Sequence, residues 1–215
     1  MDDALRALIV LSVALGRGGR DCVAHALDRA AASAPREAIE EALLQSYLFI
    51  GYPAALNAIA TWRERSGAPP PAPAEDAWAA WLARGEQTCE RVYGGQYDKL
   101  RRNVAALHPD LERWMLVEGY GKVLARPGLD LAARELCVAA LLAAQDAAPQ
   151  LHAHLRGALN AGAPVEAVEA AVACMTEELP AERSTTLQLT WSHVLSRWQS
   201  KRLETPAQRR GPGES

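Results

Sequence analysis

The sequence is poor in the residues that favour β-strands. It has one phenylalanine among 215 residues, and isoleucine and threonine are also scarce. Because β-branched and aromatic side chains pack best on pleated sheets, this scarcity argues against a sheet-rich protein. Alanine, leucine, arginine and glutamate are abundant instead, and they favour helices. We therefore predict an all-α protein that is long enough to bury a substantial core.

Long apolar runs and basic clusters are also missing. Nowhere do about 18 consecutive apolar residues occur, which is the minimum for a membrane-spanning helix. The N-terminus has no basic segment before an apolar run with a small-residue cleavage site. The net charge is −3, without a stripe of basic residues. The sequence therefore predicts no membrane span, no signal peptide, no nucleic-acid partner and a cytoplasmic location.

The four cysteines form no C-x-x-C pair. They are scattered through the chain as Cys22, Cys89, Cys137 and Cys174. This spacing favours reduced thiols over a disulfide framework or a zinc site. A helix would also hold the rings of His152 and His154 about 200° apart, which is unsuited to binding one metal ion. We predict neither a metal nor a cofactor.

A helical hairpin is the clearest feature that is present. Leu151, His154, Leu155 and Leu159 recur on one helical face. Gly162 can take the positive φ angle that ends such a helix, and a second helix follows at once. The pattern predicts two antiparallel helices with a histidine on the inward face.

The same pattern occurs near the N-terminus at a constant offset of 129 residues, without a gap. One shared histidine would be weak evidence, but several landmarks at one offset indicate an internal repeat. The matched pairs are His25 with His154, Pro35 with Pro164, Glu37 with Glu166, Glu40 with Glu169, and Trp62 with Trp191.

Proline and charge patterns divide the chain into four parts. Residues 1–65 form the N-terminal repeat, and 66–74 form a proline-rich linker with polyproline character. Residues 75–203 form the C-terminal repeat with extra helices at its N-terminal side. The polar residues 204–215 are predicted to be a disordered tail.

Several motifs resemble the carboxymuconolactone decarboxylase family, which includes the alkylhydroperoxidase D-like proteins. The likeness covers roughly Ala4 to Trp62 and Asn103 to Trp191. It rests on the order and spacing of short motifs, each of which is weak alone. They are Arg126-Pro-Gly-Leu-Asp130, Arg134-Glu-Leu136, Ala158-Leu-Asn-Ala-Gly162, Glu166-x-x-Glu169 and, in the first half, Tyr47-x-x-x-Gly-Tyr-Pro-Ala-Ala-Leu-Asn57.

This resemblance implies an all-helical fold in which two tandem repeats are related by pseudo-two-fold symmetry. It also implies a homo-oligomer, either a dimer or a trimer. Two activities are associated with the family, decarboxylation of a lactone and thiol-dependent reduction of peroxides. The peroxidase type needs C-x-x-C with its second cysteine four residues before the histidine, where this chain has Asp21 and Gln150. The lyase activity is therefore favoured, although Lys122 replaces an acidic residue of the decarboxylase type.

His25 and His154 are the leading candidates for catalysis, because an imidazole titrates close to neutral pH and suits proton transfer. Glu40 and Glu169 lie 15 residues after them, where a carboxylate could reach the ring across the helix pair. The alternatives are a half-buried structural histidine and a glutamate that faces water. Cys22 is one helical turn before His25 and is either a nucleophile or a small buried thiol.

Tyr47 and Tyr52, with Trp62, are candidates for lining a substrate cleft. Arg134 and Lys122 are candidates for holding a substrate carboxylate. Core or interface packing is the alternative for the aromatic residues, and a surface ion pair is the alternative for the basic ones.

Three hypotheses about function follow. The first is a carboxymuconolactone decarboxylase-like protein that binds or acts on a small organic acid or lactone through a histidine. The second is a non-catalytic, oligomeric scaffold or ligand-binding descendant. The third and weakest is a residual peroxidase that uses Cys22.

Overall fold

A computed structural model describes residues 1–72 and 78–203, with side chains described as far as residue 200. Every regular element in these ranges is helical, which confirms the predicted all-α fold. The predicted tail at 204–215 and part of the predicted linker lie outside the described residues. The helices are α1 (Asp3–Arg17), α2 (Arg20–Ser33), α3 (Arg36–Ser66), α4 (Trp78–Tyr93), α5 (Tyr97–Leu107), α6 (Pro109–Trp114), α7 (Leu131–Ala144), α8 (Ala148–Asn160), α9 (Val165–Glu178) and α10 (Ala181–Leu203).

Local signals explain most helix ends. Asp2 caps α1 by accepting a hydrogen bond from the backbone N–H of Leu5 at 2.8 Å. Asp130 caps α7 in the same way through the N–H of Ala133. His108 precedes a proline and is extended, so it separates α5 from α6. Gly51 has a φ angle of 76° and kinks α3, a backbone conformation that glycine adopts readily.

The two halves share one core. Helix α1 packs along α7, and each also contacts the other half, α1 through α9 and α7 through α3. At the crossing of α1 and α7, a Cβ atom on Gly16 would lie 2.7 Å from the Cβ of Ala144 and from the carbonyl oxygen of Leu141. This close approach lets the apolar faces of the two halves merge.

The helix starts follow the predicted offset closely. Helices α1, α2 and α3 begin at Asp3, Arg20 and Arg36, while α7, α8 and α9 begin at Leu131, Ala148 and Val165. The starts of these six helices therefore differ by 128 or 129 residues in each pair. A duplicated origin for the two halves remains a prediction.

Between the halves, α4 crosses a π-helical segment, Met115–Leu124, that continues α6. The N–H of Ala125 donates to the carbonyl of Tyr120 at 3.0 Å, and this spacing of five residues is the one that defines a π-helical turn. Glycines allow the crossing, since a Cβ on Gly85 would lie 1.9 Å from the oxygen of Leu116, and one on Gly121 would lie 1.8 Å from that of Trp81. π-Helical turns are rare and frequently accompany functional sites.

One described helix, α3, is long and apolar enough to cross a membrane by length and composition alone. Its most apolar window has a mean hydropathy of 1.2 and is 33% buried. This is weak evidence, because core helices of other proteins meet the same criterion. The expected absence of a membrane partner therefore stays a prediction.

Candidate functional site

A buried carboxylate and a buried histidine form the central pair of the candidate site. Glu135 lies on α7 and has no exposed surface, and the His154 side chain on α8 is 8% exposed. The Nδ1 atom of His154 lies 2.9 Å from Oε2 of Glu135. The other carboxylate oxygen, Oε1, has no hydrogen-bond partner among the described residues.

A glycine makes room for this pair. Gly157 is one helical turn after His154, and a Cβ atom there would lie 2.2 Å from Oε2 of Glu135 and 2.9 Å from Cγ1 of Val92. Any larger residue would displace the carboxylate. Gly157 is therefore a positioning residue for Glu135, and through it for the ring of His154.

Three weakly acidic groups lie near Glu135 in the interior. Burial and then the charge of Glu135 raise the pKa of the Cys89 thiol to about 12. Burial, with a smaller contribution from Glu135, raises the pKa of Tyr93 to about 12. Burial and then the charges of Tyr93 and Glu135 raise the pKa of Tyr120 well above 10. All three groups therefore keep their protons at neutral pH.

The pair has the geometry of an oriented proton-transfer group. An ionised carboxylate can only accept hydrogen bonds, so the neutral ring of His154 carries its proton on Nδ1. The Nε2 atom is then left with a lone pair that can accept a proton. Phe49 contacts the ring edge-on, with centroids 5.8 Å apart.

His25 does not reproduce this arrangement, and the prediction that its ring faces inward was wrong. It lies exposed on α2. Together with the half-buried Cys22 it lines a small cavity of about 80 Å³, which also contains Arg29 and Glu178. The structure therefore brings Cys22 and His25 to one surface cavity, far less enclosed than the position of His154.

Neither predicted glutamate bonds a histidine. Glu40 instead bonds the guanidinium of Arg63 and accepts a 2.8 Å hydrogen bond from Nε1 of Trp62. Trp62 is thereby buried in the core and does not line a cleft. Glu169 is exposed on α9. The carboxylate that reaches His154 comes from α7, not from the following helix, because α7 packs against α8 within the same half.

Arg134 is fully buried and bonded throughout, which leaves no donor directed at a substrate. Its guanidinium donates to Glu41 at 2.8 Å, to Gln45 at 3.3 Å and to three backbone carbonyls. Those carbonyls belong to Arg126, Pro127 and Leu129. The arginine therefore ties the 126–129 loop to α3, and its predicted contact with a substrate carboxylate has no support in this geometry.

Tyr47 and Tyr52 line a cleft of about 460 Å³, together with Trp81, Lys122 and Arg126. Their rings lie 5.0 Å apart. The hydroxyl of Tyr47 donates to Glu118 at 3.0 Å. The cleft combines aromatic walls with basic groups, which suits a small organic acid. Their role as binding residues stays a prediction.

Two further cavities are present. One, of about 460 Å³, lies between α1, α2 and α3 and is lined mainly by small and apolar residues. The other, of about 180 Å³, lies between α8, α10 and the end of α4. None of these four cavities is lined by His154. No group of three or more histidine, cysteine or acidic residues able to hold a metal ion occurs among the described residues.

Four residues at this position, Glu135, Cys89, Tyr120 and Gly157, were not predicted as site residues. Glu135 entered only as part of the Arg134-Glu-Leu136 motif. The signal that could have found it is an acidic residue inside the apolar run of α7, because such a charge must have a partner when buried. No signal in the sequence identifies Gly157 as the residue that leaves space for the Glu135 carboxylate.

The part of the chain that holds Glu135 and His154 is also the part that matches a known protein family. The family model "Carboxymuconolactone decarboxylase family" matches residues 109–190, which include Glu135, His154 and Gly157. The chain is 36% identical over 140 residues to "Peroxisomal protein 2" of Schizosaccharomyces pombe, covering 62% of this chain and 64% of that protein. It is 36% identical over 91 residues to "Peroxisomal protein 2" of Saccharomyces cerevisiae, covering 41% of this chain and 32% of that protein.

The chain thus spans less than two thirds of the length of either yeast relative. The matched region holds α6 to α9 and the start of α10, and it includes the buried acid–histidine pair. Through this region the chain is similar to the carboxymuconolactone decarboxylase family.

Proposed function

We propose that this chain is an acid–base enzyme that acts on a small organic acid or lactone, with His154 as its proton-transfer group. The observation that carries the proposal is the 2.9 Å contact between Nδ1 of His154 and the fully buried carboxylate of Glu135. A base whose orientation is fixed by a further group is a recurring arrangement in catalytic sites.

The proposed step is a decarboxylation. Loss of CO₂ from a substrate carboxylate leaves the bonding electron pair on carbon, conjugated with a carbonyl group. The ring of His154 takes up a proton from water on Nε2, gives this proton to that carbon and returns to its neutral form. Glu135 stabilises the protonated ring and holds its orientation, so it acts as a positioning residue.

The thiols do not favour peroxidase chemistry. Burial raises the pKa of Cys137 to about 11 and that of Cys89 to about 12, and it also raises the pKa of Cys174. A peroxidatic cysteine must be a thiolate. Cys22 is the remaining candidate, and mild peroxide should convert it to a sulfenic acid ahead of Cys89 if the residual peroxidase exists.

The two histidines supply a matched test. Carbon dioxide release should be followed with a panel of small carboxylactones and oxo acids, in the His154→Gln and His25→Gln variants. Loss of a general acid costs about 10²- to 10⁴-fold in rate, so His154→Gln should fall by this amount while His25→Gln keeps its activity. Equal rates in both variants would rule out His154 as the proton-transfer group.

A non-catalytic ligand-binding protein is the second candidate, favoured because His154 lines none of the four cavities. It predicts that small organic acids bind in the Tyr47–Tyr52 cleft without turnover. Binding that is lost in Tyr52→Ala but unchanged in His154→Gln, with no product formed, would favour it over the enzyme.

The names of the yeast relatives bear on location. Both are called peroxisomal proteins, so we propose a peroxisomal location, in place of a general cytoplasmic one, where the host cell has that organelle. Fluorescence microscopy of the tagged chain beside a peroxisomal marker tests this. Diffuse fluorescence would support the cytoplasmic expectation.

A further inference from the structure

The cavity between α8, α10 and the end of α4 is lined by basic side chains that converge. His152 and Arg156 come from one face of α8, and Arg197 comes from α10. The ring of His193 lies 5.4 Å from that of His152 and adds a fourth ionisable nitrogen group. Such a concentration is unusual in a chain whose net charge is −3.

Among the described side chains, these groups lack neutralising partners. Within residues 1–72 and 78–200, no carboxylate lies within ion-pair distance of Arg156, Arg197 or His152. The Nε atom of Arg156 is buried and has no hydrogen-bond partner there. A buried donor left unsatisfied costs free energy that a bound acceptor would restore. Burial first, and then Arg156, His193 and Arg197, lower the pKa of His152.

Two aromatic residues, Tyr93 and Trp198, form part of the rest of the wall. The guanidinium of Arg156 lies over the ring of Tyr93, 5.8 Å from its centroid. Trp198 forms another side of the cavity. Asn160 is fixed because its amide nitrogen donates to the carbonyl of Val92 at 2.7 Å. Flat walls beside arginine forks suit a planar, charged group.

We propose that this cavity, of about 180 Å³, is a binding site for a small oxyanion, in particular a compact organic carboxylate. Arg156 and Arg197 bind the carboxylate oxygens, and Tyr93 and Trp198 contact the carbon skeleton. The site is separate from the His154–Glu135 pair, so this inference stands whether or not the proposed enzymatic activity does.

Isothermal titration calorimetry of the full chain tests the site, with sodium benzoate, sodium phosphate and sodium chloride compared at constant ionic strength. Benzoate should bind, and Arg197→Gln and Arg156→Gln should each weaken binding about tenfold or more, as expected for a lost charge-assisted hydrogen bond. The control is Arg102→Gln, an exposed arginine on α5, which should bind as the wild type does.

Nuclear magnetic resonance gives a second readout that needs no variant. Benzoate should shift the ring signals of His152 while leaving those of His25 in place. Tighter binding of phosphate than of benzoate would overturn the carboxylate assignment. Absence of binding by the wild type, or equal affinities in the wild type and both cavity variants, would overturn the site itself.

Discussion

Among the described residues, two carboxylates, Glu41 and Glu135, are buried, and each is paired with a different kind of partner. Glu41 bonds the guanidinium groups of Arg126 and Arg134, which are permanently charged. Glu135 bonds His154, whose neutral imidazole can donate a hydrogen bond from one ring nitrogen and accept one at the other. The first arrangement is suited to holding structure, and the second to moving a proton.

Removing the charge of Glu41 should destabilise the fold strongly. In Glu41→Gln, Arg134 keeps its charge in a fully buried position without a carboxylate, and breaking one partner of such a pair typically costs about 3–5 kcal/mol. Urea unfolding measures the loss. Glu37→Gln, on the exposed face one turn earlier, is the control and should change stability by less than about 0.5 kcal/mol.

Glu40 should make stability depend on acid pH. Burial acts to raise its pKa, but hydrogen bonds from Arg63 and Trp62 and the charge of Arg63 outweigh burial and lower it below 4.5. A lowered folded-state pKa contributes stability above the unfolded value, and this contribution is lost as pH falls below about 4.5. The wild type should therefore lose stability faster than Glu40→Gln between about pH 5 and 3. Parallel curves in thermal melts would disprove this role.

At the scale of the helices, α4 and the Met115–Leu124 segment can cross closely because each has a glycine at the crossing, Gly85 and Gly121. The π-helical segment also presents Tyr120 toward Tyr93, with ring centroids 6.2 Å apart. A shift of either element would therefore alter the interior next to Glu135.

Alanine at Gly85 or Gly121 should destabilise the protein by about 1–3 kcal/mol, because the added Cβ atom would overlap a backbone carbonyl of the other element. Gly119→Ala is a close control in the same segment, since a Cβ atom added there meets nothing within 4 Å. It should be neutral or slightly stabilising, by up to about 1 kcal/mol. Equal melting temperatures for all three variants would contradict the proposed close contact.

Local signals explain why the helices could be predicted and the site only in part. Caps such as Asp130 and breaks such as His108-Pro109 act within a few residues, so the sequence reveals them. The pairing of Glu135 with His154 spans 19 residues and depends on the missing side chain of Gly157. The exposure of His25 depends on how α2 packs, which periodicity alone does not determine.

On the scale of the whole molecule, the two halves do not form separate cores. Helices α1 and α7 lie against each other, and each contacts a helix of the opposite half. The predicted division into repeats therefore concerns only the order of helices along the chain. The buried residues of both halves form one hydrophobic cluster.

The shared core predicts cooperative unfolding. Far-ultraviolet circular dichroism and tryptophan fluorescence should report one coincident transition in urea. Gly16→Ala, at the crossing of the halves, should shift both signals together to lower urea concentration. Two separate transitions would show that the halves unfold independently.

The state of the His154 ring is the most direct test of the central claim, that Glu135 orients this histidine for proton transfer. Long-range ¹H–¹⁵N correlation spectra distinguish which ring nitrogen carries the proton. We predict a neutral ring protonated on Nδ1 in the wild type, and loss of this preference in Gly157→Ala but not in Gly95→Ala, where an added Cβ meets nothing within 4 Å. A wild-type ring protonated on Nε2, or a Gly157→Ala spectrum identical to that of the wild type, would contradict it.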